Sequence, residues 1–193
     1  MTRILLVSGS LRQGSVNTAV IATVRRILTA HRPAVATADL DLRALPYYDE
    51  DVDAVDGSRS VREARALVES ADALFISTPS YNGEAPGVLK NALDWLSRPW
   101  LDSVLTGKPV AVVTASSGPK AGAEADPGLR SVLKRAGAVL VDHVPVAIGN
   151  LEELPPGTPG FTVPSVVAPL ESLVTATLAQ RAPLLRRRSA SPL

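Results

Sequence analysis

The sequence predicts an α/β protein in which a five-stranded parallel sheet carries helices on both faces. Short apolar runs alternate with longer amphipathic segments, as strands and helices do in successive βαβ units. The apolar runs contain few polar positions, which is typical of strands covered on both sides. With 193 residues, 46% of them hydrophobic and only 4% aromatic, the chain has enough material for an aliphatic core of ordinary size.

Five apolar runs predict the strands. They fall at residues 4–7, 35–40, 73–76, 110–113 and 138–144. Most of them end at small or turn-forming residues, such as the Ser-Gly-Ser after the first run and the Thr-Pro after the third.

The segments between the strands predict five helices, because their apolar residues recur at helical spacing. Ser58 is suited to cap the second helix. Pro86 is suited to open the third helix, because an N–H at that position would have no partner within the helix. Gly137 is expected to end the fourth helix in a left-handed conformation. The predicted helices span residues 17–30, 58–70, 86–96, 127–136 and 163–180.

The remaining segments are predicted to lack regular structure. Residues 41–57 and 145–159 are rich in proline, glycine and acidic residues, and are expected to be loops. Residues 1–182 are expected to form one domain, followed by a flexible tail at 183–193 that contains three consecutive arginines.

Composition excludes several kinds of site. The chain has no cysteine, which rules out disulfides, thiolate metal sites and cysteine nucleophiles, and it has only two histidines, His31 and His143. Both are expected to be structural. A net charge of +1 gives no broad field for nucleic acid or membrane. The acids near Asp49 lack regular metal-ligand spacing, so a solvated loop is favoured over a metal site. The first apolar run is too short for a signal peptide, and a cytoplasmic location is expected.

Three loops are the candidates for function. In parallel α/β sheets, ligands bind beyond the carboxyl ends of the strands, where the strand order reverses. The loops after the first, third and fourth strands are also the most distinctive stretches of the sequence.

The loop after the first strand predicts a phosphate site. It joins a strand to a helix N-terminus, whose free N–H groups and dipole attract an anion. Ser10, Ser15, Asn17 and Thr18 add short polar side chains, and Arg12 adds a positive charge. The dinucleotide glycine fingerprint and the nucleotide-binding Gly-Lys-Ser/Thr loop are both absent. The alternative is a capped helix start with an incidental arginine.

The other two loops are suited to a planar heterocycle. After the third strand, Tyr81 offers a flat face, Asn82 an amide, and Gly83 a close backbone approach. The helix that follows carries Trp95, which either packs in its own core or, with Trp100, forms a subunit contact. The Ser/Gly loop at 114–124 is a weaker signal, because such turns are common.

With these motifs in place, the chain resembles the NADPH-dependent FMN reductase family over residues 4–143. This flavodoxin-like group includes quinone, chromate and azo-dye reductases. Residues 9–17 are similar to its G-S-x-R-x-x-S-x-N phosphate motif. Residues 79–98 are similar to its second motif, from Pro-x-Tyr-Asn through Pro-Gly-x-Leu-Lys-Asn-Ala-x-Asp-Trp to Ser-Arg. The resemblance implies a three-layer sandwich with strand order 2-1-3-4-5.

The resemblance also implies an FMN-dependent enzyme that takes a hydride from NADH or NADPH and reduces a quinone, a free flavin or a similar small molecule. The first loop would hold the FMN phosphate, the second would lie along the isoalloxazine ring, and the third near its pyrimidine side. Tyr81 and Asn82 are candidates for positioning the ring. The implied cofactor-binding residues are Ser10, Leu11, Arg12, Gln13, Gly14, Ser15, Val16, Asn17, Thr18, Pro79, Ser80, Tyr81, Asn82, Gly83, Ser116, Ser117 and Gly118. A homodimer or homotetramer is implied as well, with contacts from residues 86–98.

Three positions depart from the family pattern. Ser80 stands where many members have glutamate, Ala121 replaces a glycine, and Glu124 replaces an arginine. The last two lie in the third loop and bear on the acceptor pocket and the nucleotide preference. Three alternatives therefore stay open: an electron carrier of the flavodoxin type, a relative that has lost FMN, and a reductase that supplies reduced FMN to a monooxygenase.

Overall fold

The structure is a computed structural model that describes residues 1–55, 57–100 and 102–180, and it has the predicted α/β architecture. The strands are β1 Thr2–Ser8, β2 Val35–Asp39, β3 Ala73–Thr78, β4 Pro109–Ala115, β5 Val139–Leu140 and β6 Val146–Ile148. The α-helices are α1 Val16–His31, α2 Glu50–Ala54, α3 Arg59–Ser70, α4 Gly87–Leu96, α5 Ala125–Arg135 and α6 Pro164–Gln180.

The strand order is β2-β1-β3-β4-β5, which confirms the predicted order, and every pair is parallel. β6 is an additional strand that also pairs with β4. Starting from β1, the chain adds β2 on one side and β3, β4 and β5 on the other, so the strand order reverses between β1 and β3. The crevice beyond their carboxyl ends is therefore the expected ligand position.

Helices cover both faces of the sheet, as predicted. Ile4 and Leu6 of β1 point into one core cluster, shared with α1 and α6. Leu5 and Val7 point into the other, shared with α3, α4 and α5. Both clusters are mainly aliphatic, and the strands of the sheet centre are buried on both sides.

The prediction of one fifth strand at 138–144 is wrong in its second half. The strand ends at Leu140, and the chain returns to β4 as β6, within the predicted loop at 145–159. Two features interrupt the ladder. The N–H of Asp142 donates to the side chain of Gln180 at 2.7 Å, and Pro145 has no N–H to contribute.

The predicted loop at 41–57 contains two short helices. One is a 3₁₀ turn at Leu42–Ala44, whose first N–H groups are capped by Asp41, and the other is α2, capped by Asp49. Acidic N-caps explain both turns, because a side-chain carboxylate satisfies free N–H groups at a helix start. Asp41 and Asp49 thus serve as caps, and Asp53 forms an ion pair with Arg65.

The other helices lie close to their predicted bounds. α5 begins two residues earlier than expected, and Pro86 is the N-cap of α4, not its first residue. Gly137 has φ 85°, which confirms the left-handed conformation expected at the end of α5. The predicted tail at 183–193 lies outside the described residues, and the division into one domain and a tail stays a prediction.

The segment before α2 is held to α4 by an aromatic pair of the partly buried Tyr48 and the buried Trp95. The rings of Tyr48 and Trp95 meet edge to face with centroids 4.9 Å apart, and Trp95 Nε1 donates to the Pro46 carbonyl at 2.9 Å. Trp95 is fully buried within its own chain. The suggestion that Trp95 contributes to a subunit contact is therefore wrong.

Arg65 of α3 bonds both Asp53 of α2 and the backbone of Trp95. Its guanidinium lies 2.7 Å from the carboxylate of Asp53, and the side chains are only 18% and 12% exposed. It also donates to the Trp95 carbonyl, from Nη2 at 2.9 Å. One cation thus links α2, α3 and α4.

Replacing Arg65 with leucine should lower the free energy of unfolding by about 3 kcal/mol, because a largely buried carboxylate and a carbonyl lose their partner together. Arg59→Leu is the matched control, since Arg59 pairs with Glu63 on the same helix at 2.7 Å but in solvent. Urea denaturation measures both, and equal losses would contradict the role given to Arg65.

Candidate functional site

Three loops meet at the carboxyl edge of neighbouring strands β1, β3 and β4. The N–H of Gly9, just after β1, donates to the Ser77 carbonyl of β3 at 2.7 Å. A Cβ atom on Gly9 would lie 2.9 Å from Thr78 Oγ1, so this approach requires glycine. The structure therefore brings together the segments that the sequence singled out.

The first loop, residues 9–18, is folded around the N-terminus of α1. Ser15 caps the helix and accepts from the Asn17 N–H at 3.2 Å, and Ser10 Oγ accepts from the Arg12 N–H at 3.3 Å. Thr18 lies in the first turn of the helix, with its hydroxyl 3.1 Å from that of Ser8. The first turn of α1 contains no acidic residue. Free helix N–H groups and hydroxyls are thus gathered where an anion is favoured.

Asn17 holds this loop on the sheet. Its Nδ2 donates to the Ala115 carbonyl of β4 at 3.1 Å, and its Oδ1 accepts from Ser77 Oγ at 2.8 Å. The residue is almost completely buried. Its side chain holds the loop against the sheet, and its backbone N–H is bonded by the Ser15 cap.

Sequence reasoning missed two charged side chains that border the first loop. Arg43, in the turn after β2, donates from Nη2 to the Leu11 carbonyl. Glu153, after β6, forms an ion pair with Arg12. No local pattern marks either residue, because they lie 32 and 141 positions from their partners. The loop therefore has two cations and one anion at its rim.

The second loop is a tight hairpin. Tyr81 and Glu84 exchange backbone hydrogen bonds, with the Tyr81 N–H donating at 2.8 Å and the Glu84 N–H at 3.1 Å. Asn82 and Gly83 occupy its tip with φ 54° and 87°. Positive φ at both central residues defines the turn that favours Asn-Gly. Gly83 is thus required by the turn itself, whereas the sequence suggested a close approach to a ligand.

The hairpin exposes the flat side chain that the sequence marked. Tyr81 is 53% exposed and lies beside the crevice. Glu84 folds back against the first turn of α5, where a Cβ atom on Gly128 would collide with its carboxylate. Glu84 is therefore placed at the positive end of α5, where a carboxylate is stabilised.

The third loop is held by the segment after β6. The N–H of Ser116 donates to the Ile148 carbonyl at 3.1 Å, and the N–H of Asn150 donates to the Gly118 carbonyl at 3.2 Å. Gly149 allows this approach, since a Cβ there would lie 2.8 Å from the Gly118 oxygen. The strand absent from the sequence prediction is thus the support of the third loop.

The departures from the family pattern have clear local effects. Ala121 takes up φ 57°, in the left-handed region that glycine favours. Glu124 pairs with Lys120 at 2.9 Å, and this hydrogen bond raises the pKa of Lys120 above its ordinary value. Gly122 lies against the second loop, where a Cβ would be 3.1 Å from Ser80 N. The third and second loops are therefore in contact.

Both histidines lie beside side chains of α6, and Asp49 and Asp53 serve as a helix cap and an ion-pair partner. His143 lies after β5, outside any strand although the strand was predicted over 138–144, with Nε2 2.8 Å from Ser172 Oγ. His31 is the last residue of α1, and its Nε2 lies 3.8 Å from Glu171 Oε1. Within residues 1–55, 57–100 and 102–180, no group of three or more acids and histidines is arranged to hold a metal ion.

The donor set at this edge fits FMN. Every predicted cofactor-binding residue lies on one of the three loops. The first loop offers hydroxyls, helix N–H groups and Arg12 to a phosphate, and the other two offer backbone and small polar groups to a ring. Contact of these residues with the cofactor stays a prediction.

Comparison with known proteins agrees with this fit. Residues 2–153 match the family described as NADPH-dependent FMN reductase. The chain belongs to that family. The predicted family, the oxidoreductase class and the FMN cofactor with NAD(P)H as co-substrate are thereby confirmed.

Individual relatives give the same picture. The chain is 39% identical over 131 residues to an NAD(P)H-dependent FMN reductase of Pseudomonas aeruginosa, covering 68% of this chain and 69% of the relative. It is 40% identical over 142 residues to a 2-hydroxy-1,4-benzoquinone reductase of Burkholderia sp., covering 73% and 75%.

A solved structure extends the similarity over more of the chain. The flavoenzyme NAD(P)H:(acceptor) oxidoreductase FerB of Paracoccus denitrificans superimposes with a TM-score of 0.82 at 28% identity, covering 93% of this chain and 97% of FerB. Separately, none of the helices in the described part of the chain is long and apolar enough to span a membrane. The cytoplasmic location stays a prediction.

Gly83→Ala and Gly87→Ala should change stability in opposite directions. Around both glycines, an added Cβ would meet open space, so only the backbone differs. Gly83 has φ 87°, and alanine there should cost about 1 kcal/mol. Gly87 begins α4, and alanine there should stabilise by about 0.5 kcal/mol, because the unfolded chain loses freedom. Thermal unfolding measures both, and two shifts of the same sign would contradict the hairpin geometry.

Proposed function

We propose that this chain binds FMN at the carboxyl edge of its sheet and uses NAD(P)H to reduce a quinone or a similar small molecule. The observation that carries the proposal is the junction of β1 and α1, where hydroxyls, helix N–H groups and Arg12 converge. The names of the relatives, an FMN reductase and a benzoquinone reductase, support the choice of cofactor and acceptor.

The first loop would hold the phosphate. Ser10 and Ser15 contribute hydroxyls, and the first N–H groups of α1 supply the dipole end that favours a dianion. Arg12 adds a charge-assisted hydrogen bond, the strongest kind available at a half-exposed position. Asn17 keeps these groups fixed through its bonds to β3 and β4, so little entropy is lost on binding.

The second and third loops would hold the ring. When bound, FMN supplies the redox chemistry, accepting a hydride from NAD(P)H and returning electrons to the acceptor. Backbone groups of residues 79–83 and 116–118 would bond the ring edge and orient it. Tyr81 and Asn82, which are exposed at the hairpin tip, would border the pocket for the nucleotide and the acceptor.

We also propose that the protein forms a homodimer or homotetramer. Trp100, which follows α4, is 68% exposed, and Tyr47 is 92% exposed. Arg98 Cζ lies 5.7 Å from the centre of the Tyr48 ring, and the hydrogen bond from Arg98 to the Tyr48 hydroxyl raises the pKa of this arginine. Exposed aromatic and arginine side chains are enriched in subunit interfaces.

Anaerobic mixing with NADPH tests the activity. Protein loaded with FMN should lose its visible flavin absorbance after NADPH is added and regain it when a benzoquinone follows. A protein that binds FMN but is not bleached by NADPH or NADH is a carrier, and a protein that takes up no FMN has lost the cofactor. Either result would overturn the proposal.

Arg12→Ala should raise the dissociation constant of FMN at least about tenfold, because a charge-assisted bond to the phosphate is lost. The affinity for riboflavin, which lacks the phosphate, should not change. Arg32→Ala removes the same charge at the exposed far end of α1 and is the matched control. Fluorescence titration measures all three proteins. An equal loss for riboflavin would show that Arg12 does not act on the phosphate.

A further inference from the structure

The ion pair between Arg12 and Glu153 places a carboxylate on the cation that the phosphate site depends on. The two side chains are 48% and 57% exposed, and the two residues lie 141 positions apart in the sequence. An exposed ion pair of this kind adds little to folding stability. Its effect on the binding of an anionic ligand differs from its effect on stability, because Glu153 adds a negative charge at the rim of a site for an anion.

Packing fixes the backbone of Glu153 against the phosphate loop. Leu151 is buried, and Leu154 packs on the core cluster beneath α1. A Cβ atom on Gly14 would lie 3.4 Å from the Leu154 carbonyl and 3.9 Å from Glu153 Oε2. Glu153 is therefore flanked on both sides by residues packed on the core, and this packing holds its carboxylate beside the loop.

The same segment continues along the loop beyond Glu153. Residues 154–158 and the loop residues Gly14, Ser15 and Thr18 line a cavity of about 380 Å³. The segment thus borders the loop without filling it. A ligand at the start of α1 and the carboxylate of Glu153 are neighbours in this arrangement.

We propose that Glu153 is an internal competitor of the flavin phosphate for Arg12 and weakens FMN binding by this chain. This inference rests on the proposed function. Arg12 and Arg43 are cations that contact the loop and Glu153 is an anion in contact with it, so Glu153 offsets one of these two positive charges. Arg25 and Asp39 also line the cavity, but they form an ion pair with each other. A guanidinium has five N–H donors and can bond a carboxylate and a phosphate together. That sharing brings like charges close and lowers the affinity.

Glu153 thereby acts on the phosphate and not on the ring. FMN differs from riboflavin by the phosphate alone, so only FMN should be sensitive to Glu153. The effect should also fade with salt, since exposed charges are screened within about 8 Å at physiological ionic strength. These two properties separate competition for Arg12 from a general change in the fold.

Glu153→Gln should lower the dissociation constant of FMN about three- to tenfold at low ionic strength, as expected for removal of one charge beside a dianion in a wet site. The dissociation constant of riboflavin should not move. Glu152→Gln is the matched control, because it removes the same charge from the exposed neighbouring position. Fluorescence titrations of the wild type and both variants, at low and high salt, give the comparison.

Each outcome decides the inference. Tighter FMN binding by Glu153→Gln alone, lost at high salt and absent for riboflavin, supports it. Unchanged or weaker FMN binding, an equal gain for riboflavin, or an equal gain in Glu152→Gln overturns it. If the wild type binds FMN and is bleached by NADPH, the proposed function survives such a failure. If no protein takes up either flavin, both proposals fail together.

Discussion

The two hydrogen bonds of the Asn17 side chain are the constraint on which the rest of the site depends. They join the first turn of α1 to the carboxyl ends of β3 and β4, inside a region that water does not reach. A buried amide that satisfies a hydroxyl and a carbonyl is costly to replace, because either partner left alone loses its hydration without compensation. The position of the phosphate loop is therefore set by the sheet.

From this anchor, the three loops form one continuous rim. The first loop is tied to β3 by Asn17 and Gly9, the hairpin at Tyr81 continues β3, and the third loop contacts the hairpin through Gly122. β6 completes the arrangement, because its end bonds the third loop and its continuation carries Glu153 to the first. The crevice is thus built on strands that are buried, and its charged groups come from segments at its margin.

Local patterns were sufficient to predict the five longer helices, the first four strands and the three loops, whereas the strand order came from the resemblance to the family. Apolar runs and the Ser-Leu-Arg and Tyr-Asn-Gly motifs are contiguous, and their geometry follows from a few neighbouring residues. The residues that were missed act over long separations. Glu153 meets Arg12 only after the whole sheet has formed, and β6 is strand because β4 has an open edge beside it, not because its three residues demand it. The sequence allowed Trp95 either a core position or a subunit contact, and the choice depends on the Pro46 carbonyl, which accepts its N–H from 49 positions away.

The contact between Glu84 and Gly128 couples two parts of the molecule that belong to different βαβ units. Since Gly128 lies in the first turn of α5 and has no side chain, the Glu84 carboxylate has room beside the start of that helix. A larger residue at 128 would displace this carboxylate, which is the far end of a flexible side chain, and the hairpin would lose its contact with α5. Divergence at a helical position outside all three loops would then change the charge beside the crevice, which gives evolution a route to different acceptors that leaves the first loop unaltered.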